Sequence, residues 1–464
     1  MIATLALTGL IAAFMQTLVT PVIPQLPHLL NTTEADASWV LTATLLAAAI
    51  STPISGRLGD MYGKRRIVLL LLCIMVAGSI ISALSDTLVP MVVGRVLQGV
   101  GLGVIALGIS ILRDVIHPKN LGGAVALVSA TLGVGGALGL PLAATIAQYL
   151  DWHFLFWLAT LFGFVAIVLV ATIIPVSTLR AGGRFDVPGA LGLAVGLIGI
   201  LLAISKGNAW GWNSSLTLGL VIGGVAVLVG LGFYELRAPN PLIDLRVAAR
   251  RPVLLTNLAS ISVGFAFFVI TAALPIVLEA PVISEVGLGL PLILTSLCLM
   301  PLGLVMFVMS PVAARLSNAR GPRTSLILGG LIITVGFTLG IFFIGEVWQV
   351  ILISTITGLG VGFAYAAMPT LIMRAVPPSE TAAANGLNSV MRTLGSTLSA
   401  TVIGVILSTH LIVTDAVATP SREAFAIVFT MGAGVVLAGV VIALFIPRRS
   451  PNYDTSSIPV QRGA

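Results

Sequence analysis

Residues 53–65 read Pro53-Ile54-Ser55-Gly56-Arg57-Leu58-Gly59-Asp60-Met61-Tyr62-Gly63-Lys64-Arg65, and residues 311–323 read Pro311-Val312-Ala313-Ala314-Arg315-Leu316-Ser317-Asn318-Ala319-Arg320-Gly321-Pro322-Arg323. Pro, Arg, Leu, Gly and Arg recur at identical spacing in the two segments, without a gap. Because each segment lies between long apolar runs, the repeat predicts two parallel halves with a site between them near the bilayer midplane. Chance similarity of two loops rich in Arg and Gly is the alternative.

The composition around these loops is that of a membrane protein. Of the 464 residues, 58% are apolar and 8% are charged, and the mean hydropathy is +1.13. A soluble domain has charged side chains at about a quarter of its positions, whereas lipid solvates apolar side chains on every outward face. The 50 glycines allow membrane helices to approach closely. The composition therefore excludes an ordinary soluble domain.

The chain contains fourteen apolar segments that approach or exceed the length of about 20 residues needed to cross a bilayer. They lie near 2–24, 37–56, 67–85, 88–111, 121–147, 153–175, 188–204, 215–234, 253–277, 288–313, 324–344, 348–373, 382–409 and 423–446. The first segment has no basic n-region and no cleavage site, so we expect a spanning helix rather than a removable signal.

These segments predict an all-α polytopic fold of two six-helix bundles with two inserted helices. We expect an N-terminal bundle at 1–175, a linker with the inserted pair at 176–252, a C-terminal bundle at 253–447 and a cytoplasmic tail at 448–464. Both termini are expected in the cytoplasm, and the chain is expected in the bacterial inner membrane.

The basic residues support this topology, because Lys and Arg accumulate in cytoplasmic loops. With the N-terminus inside, 19 of the 23 fall in cytoplasmic loops or the tail, and only Lys206 and Arg422 fall outside. The other two, Arg95 and Arg392, lie within helices. Removing one helix would invert every later loop, so fourteen is favoured over thirteen or twelve. The net charge of +7 is explained by anionic membrane lipid and requires no nucleic acid.

Residue types that carry catalysis or bind metals are sparse. Cys73 and Cys298 lie in apolar runs and are expected to be packing residues, without a disulfide or a metal site. The four histidines are scattered, and the sequence has no Ser/His/Asp arrangement and no phosphate-binding loop. We therefore expect no cofactor and no enzymatic activity. A membrane enzyme or a non-transporting receptor is a remote alternative.

Residues 56–66 resemble the loop signature that joins helices 2 and 3 in the major facilitator superfamily. The resemblance implies a latch between the two halves that breaks as a transporter opens inward. The glycines permit a tight turn, and a carboxylate can bind a helix N-terminus or a guanidinium. The latch residues are expected to be Gly56, Asp60, Gly63 and Arg65, with Arg113 at the foot of helix 4 as the partner of Asp60.

Two helix motifs extend the resemblance. Residues 95–103 resemble the superfamily's helix-4 motif, in which Arg95 lies where an unpaired charge costs at least about 2.5 kcal/mol and usually signals function. A structural Arg bonded to backbone carbonyls is the alternative. Residues 133–141 are similar to the helix-5 motif of exporters through Gly135, Gly139 and Pro141. Exporters usually follow that proline with a glycine pair, which this chain lacks, so plain helix packing is the alternative.

Three further segments resemble the fourteen-helix drug:proton antiporter family. Residues 185–189, together with 210–212, resemble its inserted helix pair. Residues 241–245 resemble its loop before helix 9, and residues 385–392 resemble its helix-13 pattern. The resemblance runs from helix 1 to helix 13. It implies export of an amphipathic drug, antibiotic or metabolite, with the proton gradient as the energy source, and we expect a monomer to be sufficient.

One family feature is missing, because the first helix has Met15 where the family normally carries an Asp. No acid is predicted deep in a helix, so the proton carrier is not evident. Glu279, Asp151 and Asp60 are the candidates, with an ordinary solvated acid as the alternative for the first two. An uptake permease or an uncoupled facilitator on the same fold is therefore the competing function.

Arg95 and Arg392 lie within helices, and no buried acid is predicted to balance them. The sequence therefore predicts a positively charged cavity. Such a cavity favours neutral or anionic cargo, or a wetted site that tolerates cations. Polar residues expected to line it are Gln16, Thr17, Thr20, Gln98, Asn257, Ser260 and Asn388. For each of them a hydrogen bond between helices is an equally good explanation.

Overall fold

The computed structural model describes residues 1–176, 181–414 and 417–447. Within these residues, thirteen helices are long and apolar enough to cross a membrane, and a bent pair of helices brings the number to fourteen. The predicted fourteen-helix membrane fold is confirmed. The predicted tail at 448–464 and the loop residue Arg180 lie outside the described residues.

The N-terminal half contains six spanning helices. They are α1 (Ile2–Thr17, continued by the 3-10 turn Thr20–Gln25), α2 (Trp39–Tyr62), α3 (Lys64–Ala83), α4 (Leu88–Gly101 and Val104–Val115), α5 (Pro118–Tyr149) and α6 (His153–Ile173). Short helices at Leu26–Leu29 and Glu34–Ala37 connect α1 to α2. The inserted pair is α7 (Val187–Trp210) and α8 (Ser215–Glu235), followed by the short helix Leu245–Ala248.

The C-terminal half repeats the six-helix pattern. Its helices are α9 (Arg251–Glu279), α10 (Leu292–Val308 and Ser310–Arg320), α11 (Pro322–Phe342), α12 (Val347–Ala375), α13 (Thr381–Thr409, after the turn Pro378–Glu380) and α14 (Arg422–Leu444). The two parts of α10 bend by about 40° at Met309. Strands β1 (Leu411–Thr414) and β2 (Val417–Pro420) pair antiparallel, with Leu411 opposite Pro420.

Each half has its own core of buried apolar side chains. The first core draws almost entirely on residues 5–174 and the second on residues 259–446. Between the halves, α2 packs on α13 and α5 packs on α10. The inserted α7 packs on α2 and α13, while most of α8 remains exposed on the outside of the bundle, where lipid would solvate it. The predicted boundaries of the halves at 175 and 253 stay a prediction.

The repeated loop has the same backbone in both halves. Gly63 separates α2 from α3 with φ 105°, and Gly321 separates α10 from α11 with φ 88°. Glycine adopts this left-handed region readily, whereas other residues do not. Arg65 donates to the Ala171 carbonyl at the end of α6, and Arg323 donates to the Leu444 carbonyl at the end of α14. This shared geometry argues against chance similarity of the two loops.

The prediction of helix ends was wrong at one end of the bundle, where α2 meets α3, α4 meets α5 and α12 meets α13. We call it the basic end, because most of the Lys and Arg residues in the predicted cytoplasmic loops lie there. The sequence places the ends of the second and fourth segments near residues 56 and 111, but α2 continues to Tyr62 and α4 to Val115. Asp60, expected in a loop, therefore lies in a helix and is only 1% exposed. The length of an apolar run cannot reveal that charged residues beyond it are paired and buried.

Candidate functional site

The carboxylate of Asp60 joins the two halves at the basic end. Its oxygens accept hydrogen bonds from the backbone N–H of Ala382, at 3.1 Å, and of Ala383, at 3.0 Å. These residues open α13, and the first N–H groups of a helix have no partner within the helix. The helix dipole also favours a negative charge there. The last turn of α2 thus supplies the anion that caps a helix of the opposite half.

A buried ion pair lies beside this contact. The Nζ atom of Lys64 is 2.8 and 2.9 Å from the two carboxylate oxygens of Asp114 on α4, and 3.8 Å from Asp60 Oδ1. All three side chains are almost completely buried. Asp114 was not predicted as a partner, because the fourth apolar segment ends before it in the sequence, near residue 111. The ammonium group stabilises both carboxylates and connects α2, α3 and α4.

Arg113 forms the second bond between the halves. Its guanidinium donates to the Val376 carbonyl at 3.1 Å and to the Thr381 hydroxyl at 2.6 Å. Val376 follows the last residue of α12, where carbonyl groups lack partners and a cation is stabilised. The expected ion pair between Arg113 and Asp60 is therefore replaced by two separate contacts with the α12–α13 connection. Among the described residues, the cation within 4 Å of Asp60 is Lys64.

Glycines let the halves approach closely at this point. A Cβ atom on Gly56 would lie 2.6 Å from the Ala382 carbonyl oxygen, and one on Gly386 would lie 2.9 Å from Pro53 Cα. Gly56, Asp60 and Arg113 thus contact the C-terminal half directly. Gly63 and Arg65 act within the N-terminal half, as the turn and as the anchor to α6 described above. We call the contacts of Asp60, Arg113 and Gly56 with α12 and α13 the basic-end latch.

Arg95 is enclosed within the N-terminal half and is 0% exposed. Its guanidinium donates to Gln98 Oε1 at 2.6 Å and to the carbonyls of Met15 and Val40 at 3.3 and 3.4 Å. Gln98 in turn donates to the Ser79 hydroxyl at 2.8 Å. The carbonyl of Met15 lies where α1 is about to end. Arg95 therefore connects four helices through neutral acceptors, in place of an acidic partner on α1.

The glycines of the predicted exporter motif pack against α1. A Cβ atom on Gly135 would lie 2.5 Å from Ala13 Cβ, and one on Gly139 would lie 2.5 Å from Thr17 Oγ1. Pro141 lies in the interior of α5 without ending the helix. This arrangement is the close helix approach that small residues four apart provide.

The expected cavity residues divide into three groups. Asn388 donates to Asn257 Oδ1 at 3.0 Å and to the Ser260 hydroxyl at 2.6 Å, so these three form a buried connection between α13 and α9. Gln98 belongs to the Arg95 network described above. Only the α1 residues Gln16, Thr17 and Thr20 are partly or largely exposed.

Arg392, by contrast, is partly exposed although it lies within α13. Its guanidinium donates to the Ser389 hydroxyl at 3.0 Å and lies 4.9 Å from the centre of the Tyr365 ring on α12. Tyr365 was not predicted from the sequence, because an aromatic residue within a spanning helix is usually a packing residue.

Of the remaining acid candidates, Asp151 and Glu279 are exposed. Asp151 accepts hydrogen bonds from the backbone N–H of His153 at 2.8 Å and lies 2.6 Å from its ring Nδ1. These hydrogen bonds hold the pKa of the Asp151 carboxyl below its usual range. Asp151 therefore stays ionised at neutral pH and caps the start of α6. Glu279 is the last residue of α9.

With this geometry in place, comparisons with known proteins identify the family. A sequence profile described as Major Facilitator Superfamily matches residues 5–400 and, in a second match, 257–460. The chain belongs to the major facilitator superfamily. The resemblance inferred from the motifs is thus confirmed, and the chain is a multi-pass membrane transporter of a small molecule rather than an enzyme.

Relatives and solved structures agree with this family. The chain is 25% identical to Multidrug resistance protein 3 of Bacillus subtilis (strain 168) over 378 residues, which are 80% of this chain and 72% of that protein. The human organic anion transporter MFSD10 matches with a TM-score of 0.66 over 95% of this chain and 98% of its own. The proton:xylose symporter XylE matches with a TM-score of 0.67 over 96% and 95%. Both structures are 15% identical to this chain, so the likeness concerns the fold alone.

The transporter also contains an acidic cluster that the sequence analysis did not predict. Asp186 accepts hydrogen bonds from the N–H of Gly189 and the hydroxyl of Tyr234, both at 2.9 Å, and Glu235 accepts one from the N–H of Ile243 at 3.1 Å. Both acids are buried. The cluster joins the two family-like segments, 185–189 and 241–245, and so fixes the inserted helices to the loop before α9. Among the described residues, no group of three or more His, Cys, Asp or Glu is placed to hold a metal ion.

Proposed function

We propose that this transporter exports amphipathic organic compounds, such as drugs, antibiotics or metabolites, by alternating access driven by the proton gradient. We place it in the bacterial inner membrane, with the basic end in the cytoplasm and a single chain, surrounded by lipid, as the working unit. The observation that carries the proposal is the basic-end latch, which closes one end of the interface between the halves. The name of the Bacillus relative, Multidrug resistance protein 3, supports drugs as cargo.

The latch is suited to repeated opening. It consists of hydrogen bonds that the Asp60 carboxylate accepts and the Arg113 guanidinium donates, together with the close contact at Gly56. A hydrogen bond to a charged group contributes about 1.5–3 kcal/mol when formed, and water can replace it when the halves separate. Cargo that binds one conformation more tightly by a similar amount can therefore shift the equilibrium between the closed and open states.

Asp60 is our first candidate for coupling a proton to this motion. Protonation removes the negative charge that α13 stabilises at its first turn, so the closed state loses part of its advantage. The same carboxyl becomes accessible to water when the latch opens. Asp151 is less suited, because its hydrogen bonds to His153 favour the ionised form, and Glu279 is exposed and distant in sequence from the latch.

The test is proton movement in proteoliposomes that contain the full chain and an imposed pH gradient. Cationic, neutral and anionic amphipathic compounds are added in turn, and an internal pH dye reports the gradient. We expect at least one compound to collapse the gradient, and Asp60→Asn to slow that collapse by at least about tenfold. Glu279→Gln and Asp151→Asn serve as matched acid-to-amide controls and should retain most of the rate. A rate lost in Asp151→Asn or Glu279→Gln but not in Asp60→Asn would assign the proton elsewhere.

The competing function is uptake or uncoupled facilitation. It is favoured by Met15, since the family's acid is absent from α1 and Arg95 is bonded to carbonyls instead. The same proteoliposomes decide between the two. Cargo that crosses without proton flux under any gradient would overturn coupled export and establish a facilitator.

A further inference from the structure

Arg392 is a charged residue within the membrane that the fold leaves without a counter-charge. It is the twelfth of the 29 residues of α13, far from either end. In the described part of the chain, the pairs of opposite charge within 4.0 Å all involve Lys64 or His153, so Arg392 has no acid beside it. A guanidinium has five N–H donors, and the hydrogen bond to Ser389 uses one of them.

The side chain of Arg392 points to the polar interior rather than to lipid. Its neighbours three, four or seven positions away on α13 are small or polar: Asn385, Asn388, Ser389, Gly395, Ser396 and Ser399. Part of this face packs on α9, where Ser396 donates to the Gly264 carbonyl at 3.0 Å. The apolar residues Val390 and Leu394 instead pack with α2 and α7. Ionisable residues in spanning helices face the bundle interior or a water-filled cavity, because lipid cannot solvate the charge. The partly exposed side chain of Arg392 is therefore accessible from the inside of the bundle rather than from lipid.

An aromatic surface lies beside this charge. The Tyr365 ring on α12 lies under the guanidinium at 4.9 Å, and its centre is 5.9 Å from that of Phe267 on α9. Phe267 is partly exposed. Three helices of the C-terminal half thus bring together a cation with free donors and an apolar ring surface.

Arg95, the other arginine that the sequence places inside a spanning segment, shows that this exposure is not imposed by the fold. Arg95 is fully enclosed, and its guanidinium is bonded to Gln98 and to two carbonyls. Its Nη2 atom has no hydrogen-bond partner among the described residues, but that atom is buried and inaccessible to a solute. Arg392 has fewer protein acceptors and more contact with solvent, which is the arrangement expected of a residue that receives its acceptor from a bound molecule.

We propose that Arg392, Tyr365 and Phe267 form a binding site for an aromatic organic anion. The carboxylate or sulfonate accepts two hydrogen bonds from the Arg392 guanidinium, and the apolar ring of the ligand packs on Phe267. The buried Tyr365 ring supports both Arg392 and Phe267 from below. The site rests on the proposed transport of amphipathic compounds and narrows their class to anions. Because the anion replaces water around a charge in a low-dielectric region, charge rather than ring size dominates selectivity.

The experiment measures equilibrium binding to the full chain in lipid nanodiscs. The probes are 2-naphthoate, the neutral isostere 2-naphthamide and the cation 2-naphthyltrimethylammonium, which share one ring system. We expect 2-naphthoate to bind the wild type at least about tenfold more tightly than either other probe. Arg392→Gln should weaken 2-naphthoate at least about tenfold and 2-naphthamide less than about threefold, while Arg392→Lys should fall between the wild type and Arg392→Gln. Tyr365→Leu should weaken the binding of 2-naphthoate and of 2-naphthamide.

Two controls separate binding from folding. Arg320→Gln removes an exposed arginine of the basic end and should leave all three affinities unchanged. Thermal unfolding checks each variant, and Arg392→Lys replaces Arg392→Gln if the latter does not fold. No preference for 2-naphthoate in the wild type, or equal losses for 2-naphthoate and 2-naphthamide in the Arg392 variant, would overturn the site and leave Arg392 a purely structural link to α12.

The binding assay is independent of the transport assay. If a cation collapses the pH gradient while 2-naphthoate does not bind, the anion site fails and the proposed export stands. If 2-naphthoate binding depends on Arg392 while no compound moves protons, coupled export fails and the anion site stands.

Discussion

The loop between α2 and α3 and the loop between α10 and α11 have one backbone and two functions. Both turn at a glycine with positive φ, and both place an arginine on the end of the last helix of their half. They differ at the residue three positions before that glycine. Asp60 in the first loop caps α13. Its counterpart Asn318 packs against Gly122, near the start of α5, so closely that a Cβ atom on Gly122 would lie 2.8 Å from Asn318 Oδ1.

This difference shows how two loops with the same turn form an asymmetric pair of contacts between the halves. The duplicated turn brings each loop to the first turns of a helix in the opposite half. Only the first copy carries a charge there, with the buried pair of Lys64 and Asp114 beside it. In the second copy Lys64 is replaced by Pro322 and Gly56 by Ala314. The two interfaces are therefore alike in shape and unlike in electrostatics.

The largest expected effect comes from breaking the ion pair that only the first copy has. Lys64→Met leaves Asp114 buried without its cation, so we expect a loss of about 3–5 kcal/mol in the free energy of unfolding. Pro322→Ala, at the matching position of the second copy, should cost less than about 1 kcal/mol. Thermal unfolding in detergent measures both.

The double variant Lys64→Met/Asp114→Leu sharpens this result. It removes both charges, so more than half of the lost stability should return. A Lys64→Met variant as stable as Pro322→Ala would mean that the pair is hydrated and contributes little.

The next effect concerns the contact surface of α2. Gly56→Ala places a Cβ atom 2.6 Å from the Ala382 carbonyl oxygen, and such overpacking costs about 1–3 kcal/mol in the closed state. Met373, which is buried against the N-terminal half, provides the reporter as Met373→Cys in a chain with Cys73 and Cys298 replaced. We expect Gly56→Ala to speed maleimide labelling of Cys at 373 by about 5–150-fold.

The matched control for this prediction is Ala314→Gly in the second copy. It removes a methyl group rather than adding one, and so should change the labelling rate by less than about threefold. Equal labelling of the Gly56→Ala and wild-type chains would show that α2 shifts to accommodate the methyl group without opening the latch.

A smaller effect should be equal in the two copies. Gly63→Ala and Gly321→Ala each force an L residue into the left-handed region, at a cost of about 1–2 kcal/mol. At both positions a Cβ atom would meet nothing within 4 Å, so the cost is conformational alone. Thermal unfolding should give two losses within about 0.5 kcal/mol of each other. A clear difference would mean that the two turns carry different strain.

The smallest effect concerns the arginine anchors. Arg65→Gln and Arg323→Gln each remove a cation from the end of a helix, α6 or α14, which contributes about 0.3–1 kcal/mol. Arg320→Gln, at an exposed position, should change stability by less than about 0.5 kcal/mol. Losses in the two anchor variants no greater than in this control would show that the anchors are solvated and do not stabilise the helix ends.

Much of the candidate site was predicted from the sequence because it lies in one continuous segment. Gly56, Asp60, Gly63 and Arg65 are within ten residues, and the second copy of the loop repeats the last two as Gly321 and Arg323. The partners of Asp60 were not predicted, because they are backbone N–H groups of α13 and carry no signal of their own. Asp186 and Glu235 were missed for a related reason, since an acid at the end of an apolar run looks the same whether it is solvated or buried.

The sequence alone determined the membrane-spanning architecture. The lengths of the apolar runs, the one-sided distribution of Lys and Arg and the repeated loop are properties of the chain itself, because the bilayer imposes one length and one charge asymmetry on every span. Only the tertiary structure decided which charges are neutralised. Arg95 and Arg392 look equivalent in the sequence, yet Arg95 is fully buried and bonded to Gln98 and two carbonyls, whereas Arg392 is partly exposed. The surroundings of each side chain depend on helices distant in the sequence.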